Sequence, residues 1–387
     1  LKLKTLLYYR SSQADYDGSS TSEKGYFSDN RMHVFQTSLD HKSKKSENTL
    51  VFHYHNYDRG YENIDGTAVL DEYDSESFVV KGERKIIPTN EKFSFGYGSE
   101  YKYDWGTFEN RGSYIASTKG HMKDLGFFAN VGYKLKENSI LSFYGRSDDH
   151  NTTGRNQTYK LNFTQILGKI ELGATHSTGL RNPTLYELYG TDNSGIGGNV
   201  NLDPEKSRTN ELYGKYNFSN QLSFASTAFR TTIFDRIESN EAYSRHENQL
   251  IDLNQEGLEN ELFYKGNNQI FSIFTNFTKS RSTTGQAQNR RPDLNYGSNY
   301  LKKFVSSPIG AFNLNLNYKY TGKHTDYDGA KNTRQKSTDI VNLSFSKKLF
   351  GYDFSLSISN LLNERYETPT TYSQDGRQFR LGFKRNY

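Results

Sequence analysis

The chain has 387 residues, of which 33% are hydrophobic, 15% aromatic and 24% charged, with a formal charge of +5. Its 30 Tyr and 26 Phe exclude a disordered chain, no run reaches the length of a membrane-crossing helix, and the absence of Cys excludes disulfides and thiolate-bound metals. The charge is spread along the chain, with "KSKK" at 42–45 its densest run, so no nucleic-acid partner is expected.

Taken in chain order, apolar and polar residues alternate in segments near 1–11, 31–42, 47–57, 73–84, 91–103 and 124–136. The pattern continues near 138–147, 157–166, 168–180, 208–218, 221–237 and 249–265. It closes with 268–281, 295–305, 311–321, 335–348, 352–361 and 376–387. The stretch "FNLNLNYKYTG" shows the rule: Phe312, Leu314, Leu316, Tyr318 and Tyr320 share one face, and Asn313, Asn315, Asn317 and Lys319 the other. About eighteen strands result, most near the length that a tilted strand needs to cross a bilayer.

The connections alternate strictly between short turns and long polar excursions, the latter at 12–30, 58–72, 104–123, 148–156, 181–207, 238–248, 282–294, 322–334 and 362–375. In an up-and-down meander every second connection lies at the same end, so one end is trimmed and the other elaborated. That asymmetry predicts an all-β, transmembrane, antiparallel up-and-down barrel, with lipid outside and water or a plug inside. A soluble sandwich has no reason to sort its loops this way. No HExxH, GxSxG or phosphate-cradling motif supports an enzyme. His53 and His55, two apart on one strand, are expected to line the aqueous face, and Trp105 to anchor at the outer interface.

Several stretches point further. "LGATHSTGLRNPTLYELYG" followed by "GNVNLDPEKSRTNEL", and "SISNLLNERYETP" with the final "GRQFRLGFKRNY", resemble the barrel of TonB-dependent outer-membrane receptors. "YGRSDDHNTTGRNQTYKLNF" and "HNYDRGYENIDGTAVLDEYD" resemble the cobalamin receptor branch. The resemblance implies a bacterial outer-membrane protein, not an enzyme, that takes up cobalamin or a related corrinoid. A ferric-siderophore or haem receptor is the alternative, with a passive porin or a surface adhesin behind it. Such barrels have 22 strands around a plug. With about eighteen strands, residues 1–387 are expected to be a barrel domain lacking the plug and the first strands. The chain opens without Met, as if mid-strand.

The resemblance also implies partners: the ligand, cobalamin or a metal chelate; the TonB complex, through the missing plug; outer-membrane lipid and lipopolysaccharide; and the barrel-assembly machinery. The last would read Phe379, Leu381, Phe383 and the terminal Tyr387, which also suits an interfacial girdle. No covalent cofactor is expected. Calcium ordering the outer loops is implied, with Asp15, Asp17, Tyr57, Asp58 and Asp65 as its ligands, although acidic loop tips are also ordinary solvated surface. Tyr186 and Tyr189, in the longest loop, are candidates for gripping ligand, as are the paired Arg290 and Arg291; a packed turn and a solvated rim are the plainer readings.

Overall fold

A computed structural model describes residues 1–17, 25–63, 69–88, 92–111, 115–192, 195–240, 242–327 and 331–385. The strands are β1 Lys2–Asp17, β2 Gly25–Lys42, β3 Ser46–Asn63, β4 Val69–Ile86, β5 Phe93–Asn110, β6 Ala116–Lys136, β7 Ser139–His150, β8 Gly154–Leu167 and β9 Ile170–Arg181. A short helix, α1 Leu185–Tyr189, precedes β10 Glu205–Asn217, β11 Leu222–Phe234, β12 Ile237–Ser239, β13 His246–Asn248 and β14 Leu253–Lys265. Then come β15 Gln269–Ser282, β16 Leu294–Phe304, β17 Phe312–Thr321, β18 His324–Tyr327, β19 Asn332–Gln335, β20 Thr338–Leu349, β21 Tyr352–Ser359 and β22 Gln378–Arg385. Eighteen strands belong to one sheet, and β12–β13 and β18–β19 form two separate ribbons.

Two compact units divide these elements. The first comprises 1–163, 175–209 and 233–252; the second comprises 164–174, 210–232 and 253–387. In the first, β1 to β7 pair antiparallel in sequence order. In the second, β14 to β17 and then β20 to β22 do the same, with the β18–β19 ribbon inserted between β17 and β20. The hairpin from β20 to β21 turns on Phe350 and Gly351, both at positive φ (50° and 82°), the backbone that a two-residue type I′ turn demands.

Register fixes the two faces of the first unit. His55, Ser77, Asp104 and Met122 are successive cross-strand partners on one face; Tyr54, Phe78, Tyr103 and Lys123 are partners on the other. The first face is wet and charged, with Lys102 paired to Asp104 at 2.7 Å and Arg146 bridging Glu100 (2.9 Å) and Asp148 (2.7 Å). The second carries Phe93, Phe95, Tyr97, Tyr101, Leu125 and Phe127, all exposed. In the second unit Phe379, Leu381 and Phe383 of β22 stand 68%, 64% and 73% exposed, while Tyr387, named with them as the expected assembly signal, lies outside the described residues.

Among the described residues nothing covers these apolar rows. In water so much exposed Phe, Leu and Tyr would drive aggregation; against hydrocarbon it costs nothing. Strand length agrees. The 21 residues of β6 span roughly 50 Å along the membrane normal at a 45° tilt, about twice the ~25 Å apolar band of an outer-membrane barrel. The strands therefore continue past the lipid on the long-loop side, and much of what the sequence presents as loop is paired strand. The β7–β8 hairpin closes there in three residues, with the amides of Thr152 and Thr153 both donating to His150 Nδ1 at 3.2 Å.

Candidate functional site

In the first unit α1 and the described residues around it (182–192 and 195–204) fold onto the wet face rather than standing as a bare loop. Thr184 caps α1: its hydroxyl accepts from the Glu187 amide (3.1 Å), and its own amide donates to the Glu187 carboxylate (2.7 Å). This reciprocal box satisfies two donors that a helix start leaves open. The Arg181 guanidinium clamps Glu187 (2.9 Å) and Glu205 (2.7 Å), and Glu205 also accepts the Ile237 amide at 2.8 Å. Leu188, only 1% exposed, packs with Met122, Leu202 and Ile237 in a small hydrophobic core.

Both predicted tyrosines belong to this latch. The Tyr186 ring lies 5.8 Å from each of Tyr73, Phe108 and His246, and its hydroxyl donates to Asp192 at 2.6 Å. Burial, reinforced by that carboxylate, pushes the phenol far above its ordinary range, so Tyr186 stays neutral. The Tyr189 ring rests on Gly120, where a β-carbon would stand 2.0 Å from it; only glycine admits the helix this close. Beneath α1 lies a cavity of about 490 Å³, lined by His55, Ser77, Asp104, Asp124, His150 and Tyr186 among others. Ser77 Oγ and Asp124 Oδ1 are buried with no hydrogen-bond partner among the described residues, so this polar cavity holds unmet capacity.

In the second unit, Asp326 ties three segments together. Only 1% exposed, it accepts from the side chain of Arg290 and from the amides of Tyr327 (2.8 Å) and Thr370 (2.7 Å). Burial alone would raise its pKa, but the Thr370 amide, the Arg290 guanidinium and the Tyr327 amide outweigh burial and hold it at about 2. Arg290 stands at φ 59° and also donates its amide to Thr325 O at 2.7 Å, so it is a structural clasp, whereas Arg291 is exposed. Beside the clasp is a cavity of about 620 Å³ whose lining includes Lys319, Arg334, Lys336 and Arg365 with Glu364 and Glu367. Among the described residues none of these four cations has a carboxylate within ion-pair distance.

The expected calcium ligands are only partly described. Tyr57 donates to Asn30 at 2.8 Å; Asp58 faces Asp74 across the β3–β4 register, and Asn56 Nδ2 donates to both (3.4 and 3.0 Å). Two carboxylates meeting over an amide donor are an incomplete calcium shell, and no group of three or more His, Asp or Glu suited to a metal gathers among the described residues. Asp65 lies outside the described residues. The backbones of Asp15 and Asp17 pair with β2, but their side chains are outside the description.

Sequence reasoning missed the Arg181 clamp, Asp326 and the cation-lined cavity. "TLYE" at 184–187 carries the capping-box signature and would have revealed α1. Apart from the adjacent Tyr327 amide, the partners of Asp326 lie 36 and 44 residues away, so nothing local marks it.

With this geometry in view, three solved structures are informative for the fold. The siderophore receptor PirA from Acinetobacter baumannii superposes at TM-score 0.76 and 14% identity, covering 98% of this chain and 70% of its own. The ferric yersiniabactin uptake receptor FyuA from Yersinia pestis gives 0.75 and 13%, covering 98% and 66%. A variant of the ferric enterobactin receptor PfeA from Pseudomonas aeruginosa, in complex with enterobactin, gives 0.76 and 17%, covering 92% and 66%. This chain thus spans about two thirds of the length of such receptors. Its sequence matches the family described as TonB dependent receptor-like, beta-barrel, over residues 3–363. No described helix is long and apolar enough to cross a membrane. The sheet, the bare apolar rows and this match agree: the chain belongs to the TonB-dependent receptor β-barrel family of the bacterial outer membrane.

Proposed function

We propose that this chain is the barrel portion of an outer-membrane receptor for TonB-energised uptake of an anionic metal chelate of the siderophore class. The observation that carries the ligand class is the cavity in the second unit, where Lys319, Arg334, Lys336 and Arg365 outnumber Glu364 and Glu367. A multiply anionic ferric complex suits such a lining; cyanocobalamin, which is neutral overall, does not use it. The siderophore receptors among the structural neighbours support the same choice over the corrinoid expected from sequence. The ligand is captured unchanged, so the role is transport rather than catalysis. A plug engaged by TonB would supply gating, and the barrel the rigid wall.

The test is equilibrium binding of the full-length receptor to a ferric catecholate, a ferric carboxylate chelate, haem and cyanocobalamin, each with and without calcium. The proposal expects an anionic ferric chelate to bind most tightly, with affinity falling as salt rises. Tight cyanocobalamin binding would overturn it, and a calcium requirement would restore Asp58 and its neighbours as ion ligands.

A further inference from the structure

The polar cavity beneath α1 has needs that its own walls do not meet. Its lining belongs to the first unit and shares no residue with the cation-lined cavity of the second. Four adjacent strands supply the wall: Ser77 on β4, Lys102 and Asp104 on β5, Asp124 on β6 and His150 on β7. Register ties them together, Ser77 to Asp104, Lys102 to Asp124 and Asp124 to His150. At ~4.8 Å per strand the row is about 14 Å long. Asp124 is twelve residues from Lys136 at the short-turn end of β6. At ~3.3 Å per residue and a 45° tilt that is about 28 Å along the normal, so this end of the cavity stands beyond the ~25 Å apolar band.

The wall is buried yet unsatisfied. Ser77, His150 and Asp104 are 3%, 4% and 7% exposed, and Ser77 Oγ and Asp124 Oδ1 have no partner among the described residues. His150 adds a donor. Its Nδ1 accepts the Thr152 and Thr153 amides, and burial lowers its pKa below the ordinary histidine value, so the neutral ring carries its proton on Nε2. Lys102 is held by Asp104 at 2.7 Å. Phe108 and Tyr186 give the cavity an aromatic side.

This inventory selects a ligand class. An anion would meet Asp104 and Asp124; a cation would meet Lys102 and leave the His150 Nε2 proton unpaired. A metal ion needs a gathered shell, and no group of three or more His, Asp or Glu suited to one exists among the described residues. A neutral polyhydroxylated molecule answers every group, because each hydroxyl both donates and accepts. One hydroxyl can donate to Asp124 Oδ1, another can accept from His150 Nε2, and a third can pair with Ser77 Oγ in either sense. The slightly positive C–H face of a sugar ring suits the negative faces of Phe108 and Tyr186. The volume of about 490 Å³ is that of a small-molecule site, and a row of about 14 Å is longer than one sugar ring.

We propose that the cavity beneath α1 is a second binding site, for a neutral saccharide of about disaccharide size. The inference goes beyond the chelate reading and does not depend on it.

The test is calorimetric titration of the full-length receptor in detergent micelles, with maltose, lactose and sucrose as neutral probes. At least one disaccharide should bind saturably, and neither choline, a cation, nor citrate, an anion, should displace it. A short dextran carries the same chemistry on a chain: binding of the disaccharide alone marks a free sugar as the source, tighter binding of dextran marks a chain, and both support the site. Ser77→Ala should weaken disaccharide binding about fivefold and Asp124→Asn about thirtyfold, while Lys44→Gln at a short turn leaves it intact. Neither cavity variant should lower the denaturation midpoint, because each removes a polar group that lacks a partner. Equal binding by both cavity variants and the wild type, displacement by choline or citrate, or no saturable binding of any neutral probe would overturn the site. So would a loss of binding that tracks a loss of stability, which would assign Ser77 and Asp124 to the fold alone.

Discussion

Replacing Asp326 with Asn tests whether one buried carboxylate organises the cation-lined region of the second unit. An ordinary Asp titrates near 3.8 and this one at about 2, so its donors favour the charged form by about 2 kcal/mol. Asn keeps the size but removes the charge and turns an NH₂ toward donors, forfeiting that order of stabilisation. Because the sheet does not depend on Asp326, the loss should appear as local opening. Hydrogen exchange on the full-length receptor should show the Tyr327 and Thr370 amides opening about thirtyfold more readily at pH 7 in Asp326→Asn, with β17 and β20 unchanged. The pH dependence follows from a depressed folded-state pKa: the stabilisation is fully present above about pH 4 and is lost as pH falls through about 2. Equal protection of both amides in wild type and variant at pH 7 would refute the reasoning.

Three further outcomes are expected. Arg181→Met leaves Glu187 and Glu205 facing each other without their shared cation; loss of charge-assisted hydrogen bonds worth about 2 kcal/mol should expose α1 to proteolysis while the sheet survives. Gly120→Val places a side chain where the Tyr189 ring now lies, so the Leu188 amide should lose exchange protection; unchanged protection would show that the latch does not depend on this close approach. Val131→Lys puts a charge on the lipid face near mid-band and should lower folding stability in bilayers by about 2–4 kcal/mol, measured by denaturant titration in vesicles, whereas Lys81→Ala on the wet face should change it little.

The sheet was legible because each membrane-facing strand must keep one row apolar. All eighteen predicted segments coincide with sheet strands, down to Phe312–Thr321 for the stretch beginning "FNLNLNYKYTG". The error was at the long-loop ends. Residues such as 58–63 and 104–110 read as loop from their polarity, yet they are paired strand. Above the bilayer both faces of a hairpin touch water, so alternation disappears although pairing continues. The ribbons β12–β13 and β18–β19 are too short to show a period, and α1 has only five residues. Of the site, Arg290 was legible as a charge beside a strand but its buried partner was not. Tyr186 and Tyr189 read from sequence either as ligand-gripping aromatics or, more plainly, as a packed turn; both serve the latch, and Tyr186 also lines the cavity.

The surplus of strand beyond the bilayer has a consequence for selectivity. Each rung above the lipid fixes two residues with backbone bonds before any cargo arrives, so the β7–β8 tip begins with few conformations left to surrender. A recognition surface mounted on such struts yields little to a poorly fitting guest and should discriminate by shape. Relatives would then diverge in cargo by exchanging whole hairpins, leaving the stave pattern beneath them untouched.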